Sequence, residues 1–319
     1  MTGFYVGAYA TAPVTSSWDP EVQTAYFNGL KAIPGICGLE HPFTGALHGH
    51  DDAWFLTNID PHWDFVFTGI PGVMGRLGED AGFGIASSAE AGRQAALAFY
   101  QEARQAIRKL NGHLGRQAVK AMMIHTAPRP AEGVRPDAAA LVASLQEMVS
   151  WDWDGAALVI EHCDTRIEGQ VPSKGFLTIE TEIEAVLEVN RNTGGNLGLC
   201  INWGRSALET RSVDGPVRHI EAARTAGLLR GLMFSGVSGA EGPYGAWADT
   251  HMPPAGATGA FEPSSLLNEA EFRRCVEAAD PQALDYMGIK IGVRPETLTT
   301  EQRLAYIESA LGMLQRAVG

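Results

Sequence analysis

The chain has 319 residues, of which 45% are hydrophobic, and its formal net charge at neutral pH is −13. This acidic balance argues against nucleic acid as the main partner, because phosphate binding requires a basic surface. No segment reaches the roughly 18 consecutive apolar residues of a membrane span, and the N-terminus lacks the pattern of a signal peptide, so we expect a cytoplasmic protein without a membrane partner.

Strand-like apolar runs alternate with helical patterns along the entire chain. The predicted strands are Phe4–Tyr9, Gly35–Leu39, Phe65–Thr68, Val119–Ile124, Ala157–Ile160, Leu197–Ile201, Gly231–Phe234 and Met287–Ile291. The predicted helices are Pro20–Ala32, a weak pattern at His50–Ile59, Ala89–Leu110, Asp137–Val149, Ile179–Asn190, Pro216–Ala226, Leu267–Ala278 and a last helix marked by Leu304, Ile307, Leu311 and Leu314.

Strict alternation predicts a parallel sheet, and the count of eight strands predicts a closed (β/α)8 TIM barrel. We see no domain boundary, so residues 1–319 are expected to form one α/β domain. An open doubly wound sheet is the alternative. It is disfavoured because no Gly-x-Gly-x-x-Gly motif follows the first strand.

Two long irregular segments are expected to be active-site loops. The first covers residues 69–88 after the third strand, and the second covers residues 235–263 after the seventh. The second loop carries Trp247 and His251, which we expect to contact substrate because long aromatic loops in compact domains commonly serve function. The four cysteines show no Cys-x-x-Cys spacing and are expected to be buried free thiols in a reducing compartment.

The fifth strand ends in a group of polar residues. Its apolar run is typical of a strand buried on both faces, and it stops at Glu161 and His162. Barrel enzymes place catalytic groups at the C-terminal ends of their strands, so these two residues are candidates for catalysis. The equivalent positions on the other strands extend this candidate ring: Glu40, His41, Thr68, His125, Asn202, Arg205, Ser235 and Lys290.

Three segments resemble the xylose-isomerase-like barrels, a superfamily that includes sugar isomerases, sugar epimerases and an abasic-site endonuclease. They are Val-Ile-Glu-His-Cys-Asp at 159–164, Gly-Leu-Cys-Ile-Asn-Trp-Gly-Arg at 198–205, and Lys174–Phe176. Within the superfamily, the chain is most similar to a branch known only as a domain of unknown function. The resemblance implies a barrel that acts on a carbohydrate.

In the sugar epimerases of this superfamily, Glu, Asp, His and Glu at the ends of strands five to eight hold one divalent metal, and the two Glu residues also shuttle the proton. Glu161 matches the first of these ligands. Asn202 stands in place of the Asp, and Arg205 in place of a His three positions further on. No histidine occurs near Ser235 on strand seven, and Lys290 stands in place of the last Glu.

Charge counting disfavours a metal in this ring. Glu161 and Lys290 already balance each other, so a divalent ion would bury two uncompensated positive charges. We therefore expect no cofactor, with Lys290 substituting for the ion and Arg205 binding an anionic sugar or sugar acid. A relocated metal site is the rival hypothesis. It would use His48, His50 and Asp51, with His62 nearby.

The preferred function is a sugar isomerase or epimerase. In this hypothesis Glu161 removes a proton next to a carbonyl, His162, His125 or Glu40 returns it, and Lys290 or Arg205 stabilises the enediolate. Asn202 and Ser235 are expected to bind substrate.

Three alternatives stay open: a lyase or aldolase with a Schiff base on Lys290, a non-catalytic sugar-binding barrel, and a hydrolase that pairs Glu40 with Glu161. The expected partner is a small carbohydrate. Self-association through outer helices is compatible with the sequence, which does not fix the number of subunits.

Overall fold

A closed barrel of eight parallel strands forms the centre of the protein, in a computed structural model that describes residues 3–165, 172, 174–256 and 259–319. The strands follow one another around the barrel in chain order, and β1 also pairs with β8. They are β1 (Phe4–Val6), β2 (Ile36–Pro42), β3 (Asp64–Thr68), β4 (Val119–Ile124), β5 (Ala157–His162), β6 (Gly198–Asn202), β7 (Leu229–Phe234) and β8 (Tyr286–Ile289). The predicted TIM barrel is confirmed.

Helices surround the barrel. Within the described residues they are α1 (Ala8–Thr11), α2 (Pro20–Ala32), α3 (Asp52–Asn58), α4 (Ile70–Glu79), α5 (Glu90–Leu114), α6 (Ala138–Val149), α7 (Ile179–Thr193), α8 (Trp203–Thr210), α9 (Gly215–Thr225), α10 (Glu269–Ala279) and α11 (Thr300–Val318). Local sequence explains several starts: the Asp19 carboxylate caps α2, and Thr299 forms a capping box with Gln302 at α11. No helix in the described part of the chain is long and apolar enough to cross a membrane.

The predicted elements differ from the structure mainly at short helices. The segment expected to be a loop at 69–88 contains α4, whose Gly-rich sequence has low helix propensity but whose buried face packs into the core. Similarly, the predicted first strand stops at Val6 because α1 begins two residues later. In the other direction, β2 continues to Pro42, and Lys290 directly follows β8 rather than lying within it.

Strand alternation divides the barrel interior into layers. One layer consists of apolar side chains and tyrosines that fill the lower barrel: Tyr5, Val66, Ala121, Met123, Val159, Cys200, Met233 and Tyr286. Successive side chains on a strand point to opposite faces, so the residues two positions further on also point inward. Those residues include Thr68, His125, Glu161, Asn202 and Ser235, and they form a polar layer above the apolar one.

The long segment after β7 lies across the upper end of the barrel. Gly236 and Met252 form an antiparallel bridge, and Leu266 donates its backbone N–H to the Val237 carbonyl. A Cβ at Gly236 would lie 2.5 Å from Ser265 Oγ, so this close crossing requires glycine. The loop is thereby fixed at both ends, while its residues 257–258 lie outside the described part of the chain.

Candidate active site

Two glutamates and two cationic side chains occupy the polar layer of the barrel. Lys290 Nζ lies 2.6 Å from Glu40 Oε1 and 3.5 Å from Glu161 Oε1. An Arg205 Nη nitrogen lies 2.7 Å from Glu161 Oε1. All four side chains are almost completely buried. The pairs link β2, β5, the start of α8 and the end of β8, so the closed barrel brings distant segments to one point.

Gly7 makes room for the lysine. A Cβ at this position would lie 2.8 Å from Lys290 Cγ and 2.9 Å from Lys290 Cβ, closer than side-chain carbons approach each other. The glycine at the end of β1 therefore allows the aliphatic part of Lys290 to pass and its ammonium group to reach both glutamates. Burial alone would lower the pKa of Lys290, but Glu161 and Glu40 outweigh it and raise that pKa.

Glu161 is saturated with contacts. Its Oε1 is approached by Arg205, by Lys290 and, at 3.4 Å, by Asn202 Nδ2, and its Oε2 lies 3.5 Å from Thr68 Oγ1. Ser235 donates to Asn202 Oδ1 at 2.7 Å and fixes the amide orientation. Burial would raise the pKa of Glu161, but the charges of Arg205 and Lys290 outweigh burial and lower it to about 2. This carboxylate is a weak base.

Glu40 has a different environment. Its Oε1 accepts hydrogen bonds from Lys290 and, at 3.2 Å, from the Tyr9 hydroxyl. Its Oε2 is buried without a hydrogen-bond partner among the described residues. Burial raises the pKa of Glu40, the nearby charge of Glu161 adds to this, and Lys290 offsets it only in part. Of the two carboxylates, Glu40 is the better proton acceptor near neutral pH.

A second layer of charge lies above Arg205. Asp249, in the loop after β7, accepts from Lys174 Nζ at 2.5 Å and lies 3.4 Å from Arg205 Nε. His251 Nδ1 lies 3.2 Å from the other Asp249 oxygen. Burial opposes ionisation of Asp249, but His251, Arg205 and Lys174 hold its pKa well below the ordinary value. These contacts join the loops after β5 and β7 over the buried ion pairs.

His125 lies at the edge of this site. Its ring packs edge-on against Phe176, with ring centres 5.2 Å apart. Burial and the positive charge of Arg205 lower the pKa of His125 to about 3, so its imidazole is neutral. Burial also lowers the pKa of His251 to about 3, against the opposing charge of Asp249.

Three other predicted residues do not face the buried ion pairs. His162 follows Glu161 and therefore points out of the barrel, where Glu182 and Glu209 hold it, so a catalytic role for His162 is not supported. His41 likewise points outward, and its ring contacts the Leu47 carbonyl. Trp247 lies beneath the guanidinium of Arg211, 5.1 Å from its carbon to the ring centre, instead of beside the glutamates.

A cavity of about 690 Å³ opens beside Glu40 over the ends of β1 and β2. Tyr9 and Glu40 form its inner end, and Trp18, His48 and His50 line its wall. Trp18 stacks on His50 with ring centres 4.7 Å apart and planes inclined by 14°. The described lining residues include no lysine or arginine. Glu161 does not line this cavity.

The histidines that form the rival metal hypothesis have other partners. His48 Nδ1 accepts the backbone N–H groups of His50 and Asp51, at 3.4 and 3.1 Å. Asp51 caps α3 by accepting from Ala53 and Trp54. His50 is engaged with Trp18. The segment serves as a wall of the cavity and as the start of a helix.

The barrel site itself does not fit a divalent cation. Lys290 and Arg205 already occupy the space beside Glu161, and Lys290 also pairs with Glu40. An ion at this point would face two cationic groups at contact distance, an arrangement whose repulsion and desolvation are both unfavourable. No reaction step below depends on a metal here.

Four residues that the structure places at the site were not among the predicted site residues. Tyr9 ends the predicted first strand two residues after Gly7, and alternation along that strand would have pointed it inward, although the structure places it in α1. Trp18, Lys174 and Asp249 lie in irregular segments, where no periodicity indicates the direction of a side chain.

Known structures with a similar fold include sugar epimerases. The chain superimposes on D-psicose 3-epimerase with a TM-score of 0.61 and 14% identity, covering 99% of both chains. A xylose isomerase domain protein from Planctomyces limnophilus gives a TM-score of 0.53 and 13% identity, covering 99% of this chain and 96% of that one. At these identities the likeness concerns the fold alone, which is a TIM barrel like that of these proteins.

The chain belongs to the family described as Domain of unknown function (DUF4862), whose model matches residues 5–306. It is also 35% identical over 317 residues to Uncharacterized protein STM3670 of Salmonella typhimurium (strain LT2), covering 99% of this chain and 98% of the relative. The expectation of a family of unknown function is confirmed.

Proposed function

We propose that this protein is a carbohydrate isomerase that moves a proton between adjacent carbons of a neutral sugar, with Glu40 as the general base. One observation carries this proposal: Glu40 lines the cavity and has a buried oxygen, Oε2, without a hydrogen-bond partner among the described residues. The sugar-epimerase neighbours provide a precedent for the fold.

The reaction needs only groups that the barrel supplies. Glu40 removes the proton from the carbon beside a carbonyl, and the electron pair of that C–H bond moves onto the carbonyl oxygen. Lys290 does not itself line the cavity, but its ammonium group lies 2.6 Å from Glu40 Oε1, and its fixed positive charge stabilises the negative charge of the enediolate from behind Glu40. Glu40 then returns the proton to the neighbouring carbon, while a hydroxyl proton moves between the two oxygens. Atoms and charge balance without a co-reactant.

The presence of a single catalytic base favours an isomerase over a two-base epimerase. A two-base epimerase needs a proton donor on each side of the reacting carbon. Here the second carboxylate, Glu161, is held by Arg205, Lys290 and Asn202 and has a pKa of about 2. Glu161 instead orients Lys290 and Arg205. A single carboxylate can serve both adjacent carbons on one face of an enediol.

A neutral sugar fits the charge balance better than the sugar acid expected from the sequence. The site contains three carboxylates, Glu40, Glu161 and Asp249, and three cations, Lys290, Arg205 and Lys174. Arg205 is already paired with Glu161 and Asp249, so it is not available for an anionic group on the substrate. The aromatic cavity wall suits the apolar face of a sugar ring.

The contacts of Lys290 argue against the Schiff-base alternative. A lysine nucleophile must lose its proton, and catalytic lysines have a lowered pKa. Lys290 instead pairs with two glutamates, which raise its pKa. Borohydride trapping in the presence of sugars is therefore expected to leave Lys290 unmodified. A reduced adduct on this residue would favour the lyase or aldolase.

Solvent exchange tests the proposal. Neutral aldoses and ketoses are incubated with the enzyme in deuterium oxide, and proton NMR follows both deuterium uptake at carbon and formation of the isomer. Sugars that bind are first identified by saturation-transfer NMR. We expect at least one bound sugar to exchange, and Glu40→Gln to slow exchange by about 10³-fold, since general-base groups contribute about 10²–10⁴-fold.

Glu277→Gln is the matched control, because Glu277 is an exposed glutamate on α10. It is expected to leave exchange unchanged. Bound sugars that never exchange would indicate a non-catalytic binding barrel, and full activity in Glu40→Gln would exclude Glu40 as the base.

A further inference from the structure

A second polar cluster lies outside the barrel, between β5 and helices α8 and α9. His162 at the end of β5, Glu209 in α8 and His219 in α9 are all buried. Each offers one potential metal-ligating atom, and these atoms lie within 4.8 Å of one another. Within the described ranges, no other group of three His, Cys, Asp or Glu residues meets this condition.

Both imidazoles of the cluster are oriented by hydrogen bonds. Glu182 Oε2 lies 2.7 Å from His162 Nδ1, and Ser206 Oγ lies 2.9 Å from His219 Nδ1. Glu182 is itself fixed, because its other oxygen accepts from Thr126 Oγ1 at 2.7 Å. Metal-binding histidines have this arrangement, with one ring nitrogen held by a carboxylate or other polar group and the other directed to the ion.

The distances need only small changes to accept an ion. His162 Nε2 lies 2.9 Å from Glu209 Oε2. Two ligands at tetrahedral zinc, each about 2.0–2.2 Å from the metal, are about 3.4 Å apart. Opening this pair by roughly half an ångström and moving His219 inward would place three ligands around one ion. The zinc ion would replace the proton that His162 and Glu209 share in their hydrogen bond.

Charge and ligand type favour a transition metal. Glu182 and Glu209 bring two negative charges to the cluster, which one divalent ion would balance with both imidazoles neutral. Imidazole ligands suit zinc and its neighbours, whereas magnesium and calcium prefer oxygen ligands alone. We propose that His162, Glu209 and His219 bind one Zn²⁺, with Glu182 and Ser206 positioning the two histidines.

The ion would link β5 to α8 and α9 on the side of the strand opposite the candidate active site. Glu161 and His162 are neighbours in sequence, but their side chains lie on opposite faces of the barrel wall. The proposed zinc site therefore does not face the candidate active site, and it is independent of the proposed function at Glu40.

Zinc titration of the full-length chain tests this proposal. Protein treated with a chelator and then dialysed is titrated with Zn²⁺ by calorimetry, and metal content is measured afterwards. We expect one Zn²⁺ per chain in the wild type and in Glu40→Gln. Glu209→Gln and His219→Ala should weaken binding by at least about 100-fold, and Glu182→Gln or Ser206→Ala by about 10–100-fold, as residues that orient ligands usually do.

His113→Ala is the matched control, because His113 is an exposed histidine near the end of α5. It should bind zinc like the wild type. Near-ultraviolet circular dichroism shows which variants fold. If His219→Ala does not fold, the zinc affinity of Ser206→Ala decides the test. Absence of a tightly bound ion, or wild-type affinity in both Glu209→Gln and Ser206→Ala, would overturn the proposal. Deuterium exchange into sugars is measured separately with the zinc-free protein. This measurement distinguishes a failure of the zinc proposal from a failure of the proposed role of Glu40.

Discussion

The inner and outer faces of β5 carry two buried clusters of opposite character. Inside the barrel, the glutamates are paired with lysine and arginine, and Glu40 keeps an unpartnered oxygen beside a cavity. Outside, His162 is held by Glu182 and Glu209, and the cluster lines none of the described cavities. A buried charged side chain indicates a catalytic role only where it also lies beside a cavity that can hold a substrate.

A similar contrast separates the two glutamates of the inner cluster. Both are buried near the C-terminal ends of barrel strands, Glu40 on β2 and Glu161 on β5, but Glu161 has polar contacts on both oxygens whereas Glu40 has none on Oε2 among the described residues. Their pKa values are therefore moved in opposite directions, downward for Glu161 and upward for Glu40. This difference supports the proposed roles, with Glu40 as the proton acceptor and Glu161 as a positioning residue.

The largest effect is expected for Lys290→Met. This substitution leaves Glu40 and Glu161 buried without their shared cation, which costs about 3–5 kcal/mol of folding free energy. It also removes the charge that stabilises the enediolate, so exchange should fall by about 10²–10³-fold. Urea unfolding and deuterium exchange measure the two effects. Lys31→Met, at the exposed end of α2, is the control. A stable and active Lys290→Met would refute the central role of this ion pair.

An intermediate effect is expected for Glu161→Gln. Exchange should fall by about tenfold, less than in Glu40→Gln, because Glu161 positions Lys290 but does not accept the proton. A larger loss than in Glu40→Gln would reverse the assignment of the two carboxylates.

The same variant also has a pH signature. The folded pKa of Glu161 is about 2, below its ordinary value of 4.5, so its contribution to stability is present above pH 4.5 and is lost as the pH falls towards 2. The unfolding free energy of wild type should therefore decrease more steeply than that of Glu161→Gln over this range. Parallel curves in urea titrations at each pH would contradict the lowered pKa.

The smallest effect is expected for Trp18→Ala. Trp18 lines the cavity but lies away from the proton-transfer groups, so its loss should raise KM by about tenfold and change kcat less than twofold. Trp18→Phe keeps an aromatic face and should retain most of the affinity. An unchanged KM in Trp18→Ala would show that the sugar does not bind along this wall.

Periodicity allowed most of the fold to be predicted. Apolar runs located all eight strands, and the position at C-terminal strand ends grouped Glu161, Asn202 and Ser235 correctly in space. Alternation along the strand excludes His162 from the interior, since neighbouring strand residues face opposite sides. Glu161 and His162 were predicted together as site residues because both are polar and both end β5.

The pairing within the site could not be predicted from the sequence. Asp249 and Lys174 lie in loops, so their contact depends on how two long segments cross the barrel mouth. Arg205 was expected to remain available for an anion, but Glu161 and Asp249 occupy it. Such choices among neighbouring charges depend on distances of a few ångströms, which only the folded chain determines.

The assignment of the two carboxylates is tested most directly by their titration. Protein labelled with ¹³C at glutamate side-chain carboxyl carbons is followed by NMR over the pH range in which it stays folded, and Glu40→Gln and Glu161→Gln assign the two signals. We predict that Glu40 titrates above 4.5 and that Glu161 stays ionised down to a pKa of about 2. A Glu161 signal that titrates above that of Glu40 would contradict the account.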